Sequence, residues 1–410
     1  MSNPEVTIIG GGLSGLCCAR RLHEAGVSFQ LLEASDDVGG RARTDEVNGF
    51  LLDRGFQVLL TAYPEARNVL DYDALNLASF TSGALVRYRG KFHRFVDPWR
   101  SPRHLLATAI SPIGSLTDKL RVAQLRSRVC RGSLDKVFER PETRTIDALR
   151  QAGFSERIIE LFFRPFLGGV FLDYELNTSS RMFEFIFRMF ATGSAVVPAG
   201  GIGEIAHQIV NELPHENLRT RISVETLQGT TIRLTSGEIL EAGTIVLACE
   251  APVAAKLLGT TTPPSGRGVT CLYFAAERPP IEEPILVLNG DGTGPINNLC
   301  VPSQVTPTYA PAGQALVSVT VLGIPDGDIE ASVRKQLRDW FGPDAIAWRH
   351  LRTYRIPYAL PSQAPPALSP VGKSAKRSDH LFVCGDYLDT ASIQGAMVSG
   401  RRAAECVMQC

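Results

Sequence analysis

The sequence predicts an α/β fold: a Rossmann-like nucleotide-binding domain interrupted by an α+β insert. Three observations carry it. Residues 5–10 form a short apolar stretch (Val6, Ile8, Ile9) that reads as a strand. A glycine cluster follows, then a helical stretch at 13–25 that Gly26 ends. Residues 28–33 read as a second strand finishing on Glu33, so the chain opens on a βαβ unit.

The glycine cluster fits GxGxxG through Gly10, Gly12 and Gly15, with Leu13 and Ser14 at the helix start. Gly10 permits a tight turn, Gly12 lets a pyrophosphate approach the backbone, and Gly15 allows close packing of helix on strand. The helix N-terminus presents unpaired N–H groups and a positive dipole end to the phosphates. Glu33 suits a ribose hydroxyl pair and repels a 2′-phosphate.

Further along, the texture changes. Residues 76–197 show apolar residues at helical spacing and read as a mostly helical insert. Strand and turn return at 218–248. Residues 261–365 read as a sheet-rich insert, 381–384 as a last short strand, and 391–406 as the closing helix. Segments 1–75, 198–260 and 366–410 are therefore assigned to the nucleotide domain, and 76–197 and 261–365 to a second, discontinuous domain.

Composition narrows the function classes. The 410 residues hold 42 basic and 42 acidic side chains, so no overall charge draws the chain to nucleic acid. Nine cysteines without a CxxC pair fit reduced thiols in a reducing compartment. Seven scattered histidines offer no HxxxH spacing, and no metal site is expected. Residues 1–5 lack a basic region before an apolar core, and no run of 18 apolar residues occurs. The expected location is cytoplasmic, or peripheral on the cytoplasmic face of a membrane.

Later motifs add chemistry. Residues 33–44 (Glu33, Ala34, then Gly39-Gly40-Arg41) resemble the second glycine motif of the flavin-containing amine oxidase superfamily, which includes carotene desaturases and protoporphyrinogen oxidases. Asp53-Arg54-Gly55-Phe56-Gln57 resembles that family's loop beneath the flavin ring. Residues 198–203 resemble its return segment, and Val224 lies on the strand whose backbone would hold adenine. Gly385-Asp386 and Ala391-Ser392-Ile393-Gln394-Gly395-Ala396 resemble the C-terminal flavin motif.

The resemblance implies a glutathione-reductase-type FAD domain with noncovalent FAD, Asp386 on a ribityl hydroxyl, and the closing helix aimed at the flavin N1–C2=O edge. An arginine beside two glycines suits pyrophosphate, because its guanidinium fork neutralises phosphate charge. Two departures separate the chain from ordinary amine oxidases. Thr270 aligns where a catalytic lysine would stand, and Ser392-Ile393 replaces an aromatic cage residue. The last motif and residues 164–171 resemble the desaturase and protoporphyrinogen oxidase side.

The implied activity is FAD-dependent dehydrogenation of an apolar substrate (isoprenoid, polyene or porphyrinogen-like) by hydride transfer to flavin N5. An amine oxidase with an atypical site, a flavin-dependent isomerase and a non-catalytic flavin-binding protein remain as alternatives. Tyr358 and Arg355 are the candidate cavity-lining catalytic groups. Of the phenylalanines at 162, 163, 166, 171, 183, 185, 187 and 190, most are expected to be helix core, with two or three facing a pocket. Residues 87–140 carry thirteen basic and four acidic side chains, interleaved with Trp99, Leu105, Leu106, Ile110 and Ile113. That pattern suits a peripheral contact with an anionic membrane surface.

Overall fold

A computed structural model describes residues 4–97, 100, 111–260 and 265–409. Its first sheet has six strands, in the order Leu218–Arg219, Phe29–Leu32, Val6–Ile9, Thr244–Leu247, Leu381–Val383, Lys376–Ser378. The first five run parallel, with Val6 opposite both Phe29 and Thr244. Ile8, Leu31, Val246 and Phe382 are buried, as expected for parallel strands covered on both faces. Segments nearly 400 residues apart thus complete one nucleotide-binding sheet, which places the first and last motifs side by side.

Two helices, Leu13–Glu24 and Ile393–Val407, pack on this sheet. Their backbones touch: a Cβ added at Gly400 would lie 2.0 Å from the Ser14 carbonyl oxygen. Ser392 caps the closing helix by accepting a hydrogen bond from the Gly395 N–H at 3.1 Å.

The second large sheet has seven strands, in the order Arg349–Pro361, Gly266–Ala276, Ala315–Leu322, Ile296–Cys300, Leu286–Asn289, Gly83–Tyr88, Lys91–Val96. This corrects the reading of 76–197 as mostly helical. Its opening part is strand, and Gly83–Tyr88 pairs in parallel with Leu286–Asn289, some 200 residues on. Between 116 and 192 the segment is largely helical, including Leu116–Cys130, capped by a Ser115/Asp118 capping box, and Ser180–Thr192. One face of the sheet packs Leu272, Phe274 and Val319 against Val333 and Leu337 of helix Ile329–Phe341. The other face turns Cys271 and Tyr273 toward the nucleotide domain.

Candidate flavin site

The two glycine motifs meet. Gly39 N–H donates to the Gly11 carbonyl at 2.8 Å, and a Cβ on Gly40 would come within 3.2 Å of the Gly12 Cα. Gly10 has φ +113° and leaves no room beside the Ala248 carbonyl; a Cβ on Gly15 would strike the Gly10 carbonyl. Helix Leu13–Glu24 has no side-chain cap, so the first-turn N–H groups around Leu13, Ser14 and Gly15 are left for an anion. Ser14 Oγ donates to the Ala248 carbonyl at 3.4 Å.

Glu33, expected to face a ribose, is engaged by the protein itself. Its Oε2 accepts from the Gly11 N–H at 2.7 Å, while Oε1 accepts from the Ser35 N–H and hydroxyl at 2.7 and 2.6 Å. The carboxylate therefore clamps the glycine loop to the segment bearing Ala34. Ile222 N–H donates to the Glu33 carbonyl and Arg221 N–H to that of Ser35, which brings the Val224 strand alongside.

Arg41 crosses to the far end of the chain. It donates to Asp386 Oδ1 at 2.8 Å and to the Ala359 carbonyl at 3.0 Å, with Glu250 at 3.9 Å. Gln57 Nε2 donates to the Arg41 carbonyl at 2.8 Å and fixes that loop. Next to this group the hydroxyls of Tyr358 and Tyr387 are buried without a hydrogen-bond partner among the described residues, and burial pushes both phenols up. A glycine cradle, an uncapped helix N-terminus and two orphaned hydroxyls make the groove fit a dinucleotide with a polar ribityl chain.

A cavity of about 220 Å³ continues from this groove. On the nucleotide side its wall holds Arg41, Gly55, Phe56, Gln57, Ser392 and Ile393; on the sheet side, Val269, Asn298, Thr320 and Ile356. A second cavity of about 250 Å³ shares Phe56, Val58, Phe166, Val170, Phe190 and Leu286 with the first. Among the described residues lining the first, the charged groups are Arg41 and Arg54; no lysine, histidine or carboxylate lines it.

Several expectations change here. Thr270 is fully buried and points off the cavity, its hydroxyl donating to the Gly323 carbonyl; Val269 takes the cavity wall, because strand neighbours alternate faces. Arg355 pairs with Thr270 in register and is exposed, so it does not line the cavity. Tyr358 stands with Arg41 and Asp386 rather than at the cavity wall. The Gln394 side chain also turns away, its Oε1 accepting from the Glu65 N–H at 2.9 Å, while Ala396 is half-buried and packs against the core. Phe162, Phe166, Phe187 and Phe190 line the cavities, whereas Phe163, Phe171, Phe183 and Phe185 are core.

Asp53 has a role that its motif did not suggest. Thr44 Oγ1, the Ile202 N–H and Tyr309 Oη donate to its carboxylate at 2.7–2.9 Å, and Tyr273 Oη donates to its carbonyl. Burial raises the Asp53 carboxyl to about 6. It joins the nucleotide domain to the second sheet just before the Gly55–Gln57 loop. Nothing in the local sequence announces Tyr309 as its partner.

Of the apolar residues noted in 87–140, Ile113 is fully buried, and Trp99, Leu105, Leu106 and Ile110 lie outside the described residues. Much of the segment's basic charge is paired: Arg94 with Glu283, Arg126 with Asp97, and Arg128 and Arg140 with Glu184. Among the described residues no helix is long and apolar enough to cross a membrane.

Fold and groove together define an FAD-dependent oxidoreductase. The chain belongs to the flavin-containing amine oxidoreductase family, whose model matches residues 13–408. It is 25% identical over 169 residues to protoporphyrinogen oxidase 2 of Arabidopsis thaliana, covering 41% of this chain and 33% of that one. It is 46% identical over 55 residues to a carotenoid 3,4-desaturase of Haloarcula japonica, covering 13% of this chain and 11% of that protein. The matches thus span a third or less of these relatives. An oxidoreductase from Methanosarcina mazei shares the fold with TM-score 0.75 and 18% identity, over 99% of this chain and 100% of its own.

Proposed function

We propose that this chain dehydrogenates an apolar substrate, isoprenoid, polyene or porphyrinogen-like, in the cavity beside Gly55–Gln57. The observation that carries the reading is the pair of abutting cavities, walled by Phe56, Phe166, Phe190 and Leu286 with no lysine, histidine or carboxylate in the first. In the first cavity an ammonium group would find no carboxylate, and its only charged neighbours among the described residues would be the guanidinium groups of Arg41 and Arg54.

Bound FAD supplies a hydride acceptor at N5. The protein's own contribution is positioning and electrostatics. Arg41 would balance pyrophosphate charge and hold Asp386 toward the ribityl chain. The closing helix begins at Ile393 on the cavity wall, so its positive end favours the negative charge that reduction adds. The aromatic wall keeps water from the reacting C–H bond, and the released proton leaves without a dedicated base in the cavity.

Membrane contact belongs to the same proposal. Leu116 and Leu120 are 68% and 66% exposed on one face of helix Leu116–Cys130. Lys119, Val122 and Arg126 of that helix line the second cavity, which suits entry of a lipid-dissolved substrate. Flotation with anionic liposomes checks this: the protein should rise with them, and a Leu116→Glu/Leu120→Glu variant should stay down.

The central test is anaerobic. The flavin band is followed while a carotene precursor in liposomes, a porphyrinogen and a panel of amines are added in parallel. Bleaching by an apolar donor supports the reading; bleaching by an amine alone would overturn it.

A further inference from the structure

On its sheet wall the first cavity is apolar except at one place. Strand Ile296–Cys300 carries a bulge: Ile296 faces Val321 and Asn298 faces Thr320, so two residues oppose one and Asn297 is the extra one. The bulge turns the amides of Asn297 and Asn298 to the same side. Gly169 lies directly over them; a Cβ there would come within 2.9 Å of both. Asn298 and Thr320, 4% and 5% exposed, both reach the cavity wall.

Donor and acceptor atoms can be assigned. Asn297 Nδ2 lies 3.0 Å from the Pro165 carbonyl, which only accepts, so that atom is nitrogen. It lies 2.8 Å from Asn298 Oδ1, which must then be oxygen. Asn298 Nδ2 therefore faces Thr320 Oγ1, at 3.3 Å, and uses one of its two hydrogens there. The second amide hydrogen and the Thr320 hydroxyl hydrogen have no acceptor among the described residues. Two buried donors beside each other, unmet by protein, call for an acceptor from the occupant.

We propose that Asn298 and Thr320 form a donor subsite that recognises an oxygen acceptor (a carbonyl, ether or hydroxyl oxygen) on an otherwise apolar substrate. The inference rests on the reading of this cavity as the substrate site. It makes the two side chains specificity determinants and leaves hydride transfer to the flavin.

The test is calorimetric titration of the FAD-loaded protein with 2-acetylnaphthalene and with 2-ethylnaphthalene, which share shape and differ in the oxygen. The ketone should bind about 3- to 10-fold tighter, the range for one or two neutral hydrogen bonds. Thr320→Val should level the two affinities, and Thr320→Ser should restore the preference. Equal binding by the wild type, binding of neither ligand, or a preference that survives Thr320→Val overturns the subsite. A shifted flavin absorption band in ligand-free Thr320→Val, with the ketone preference intact, assigns the donors to the flavin ring instead and also overturns it. The functional reading fails separately: a ketone preference in a protein whose flavin no apolar donor bleaches leaves the subsite standing and removes the dehydrogenase.

Discussion

Arg41 and Asp386 stand 345 positions apart in the chain and 2.8 Å apart in space. The pair ties the second glycine motif to the C-terminal flavin motif, and Ala359 and Glu250 complete Arg41's surroundings. Asp386 is nearly buried, so the guanidinium is what permits a carboxylate at this place.

Arg41→Ala would leave that carboxylate uncompensated beside the phosphates. FAD affinity is expected to fall by about a hundredfold or more, in line with truncating one partner of a buried charge pair. Arg41→Lys should recover little, since an ammonium cannot span Asp386 and the Ala359 carbonyl as the guanidinium fork does. Flavin fluorescence released through an ultrafiltration membrane reads both. Full retention of FAD by the alanine variant would remove Arg41 from the site.

The crossing of the first and last helices is expected to be intolerant of a single methyl group. A Cβ at Gly400 would meet the Ser14 carbonyl oxygen at 2.0 Å and the Cys18 nitrogen at 3.1 Å, all backbone atoms that cannot swing aside. Gly400→Ala should cost about 1–3 kcal/mol or more through overpacking, and FAD content should drop with it. Gly259→Ala is the control: φ is +66° there and none of the described residues lies within 4 Å of the added Cβ, so only backbone strain of about 1–2 kcal/mol is expected. Urea midpoints and the flavin-to-protein absorbance ratio separate the two. Equal flavin loss in both variants would contradict the packing argument.

Asp53 predicts a pH dependence of stability. Burial holds its carboxyl at about 6, above the ordinary 3.8, despite three hydrogen-bond donors that pull the other way. Between those values the native state keeps a proton that the unfolded chain has lost. Stability from this group therefore falls as pH rises through the interval and is level above about 6. The full drop is on the order of 3 kcal/mol at about 1.4 kcal/mol per pH step. Asp53→Asn mimics the protonated acid, since its amide can still accept from Thr44 and Ile202 and donate to Tyr309. Its urea midpoint should fall less than that of the wild type between pH 4.5 and 6.5. Parallel profiles for the two proteins would show that Asp53 is not the titrating group.

What the sequence made legible was the part governed by local stereochemistry. Gly10, Gly15 and Gly39-Gly40 announce close backbone approaches, and the charges of Glu33, Arg41 and Asp386 are drawn to the glycine motifs and the C-terminal motif. Ser392 signals a helix start. Pairing over long separations was not legible: Gly83–Tyr88 joins Leu286–Asn289, a contact decided by the whole domain's packing. Thr270 was misplaced because one residue of register on a strand exchanges faces. Asn298 was missed because a bulge, invisible in the residue pattern, re-aims it. The eight phenylalanines divided evenly between core and cavity, since half of each helix's aromatic face turns toward the gap beside the second sheet.

Phe166 and Phe190 make the division between the cavities, with ring centroids 5.3 Å apart and both rings on both walls. They are expected to set how far an apolar ligand can extend. For 2-alkylnaphthalenes of growing chain length, each methylene that finds an apolar wall should tighten binding about fourfold, from about 0.8 kcal/mol per buried CH₂. The gain should stop at the length where the chain meets the phenylalanine pair. Phe190→Ala opens that wall, so the break should move to a longer chain, and the longest members should gain about tenfold or more over the wild type. Phe190 is only half-buried, so the variant should lose about 1–2 kcal/mol of stability, below the range for a fully buried phenylalanine. Calorimetry across the series measures the break directly. A break at the same chain length in both proteins would mean that the two cavities are not joined through Phe190.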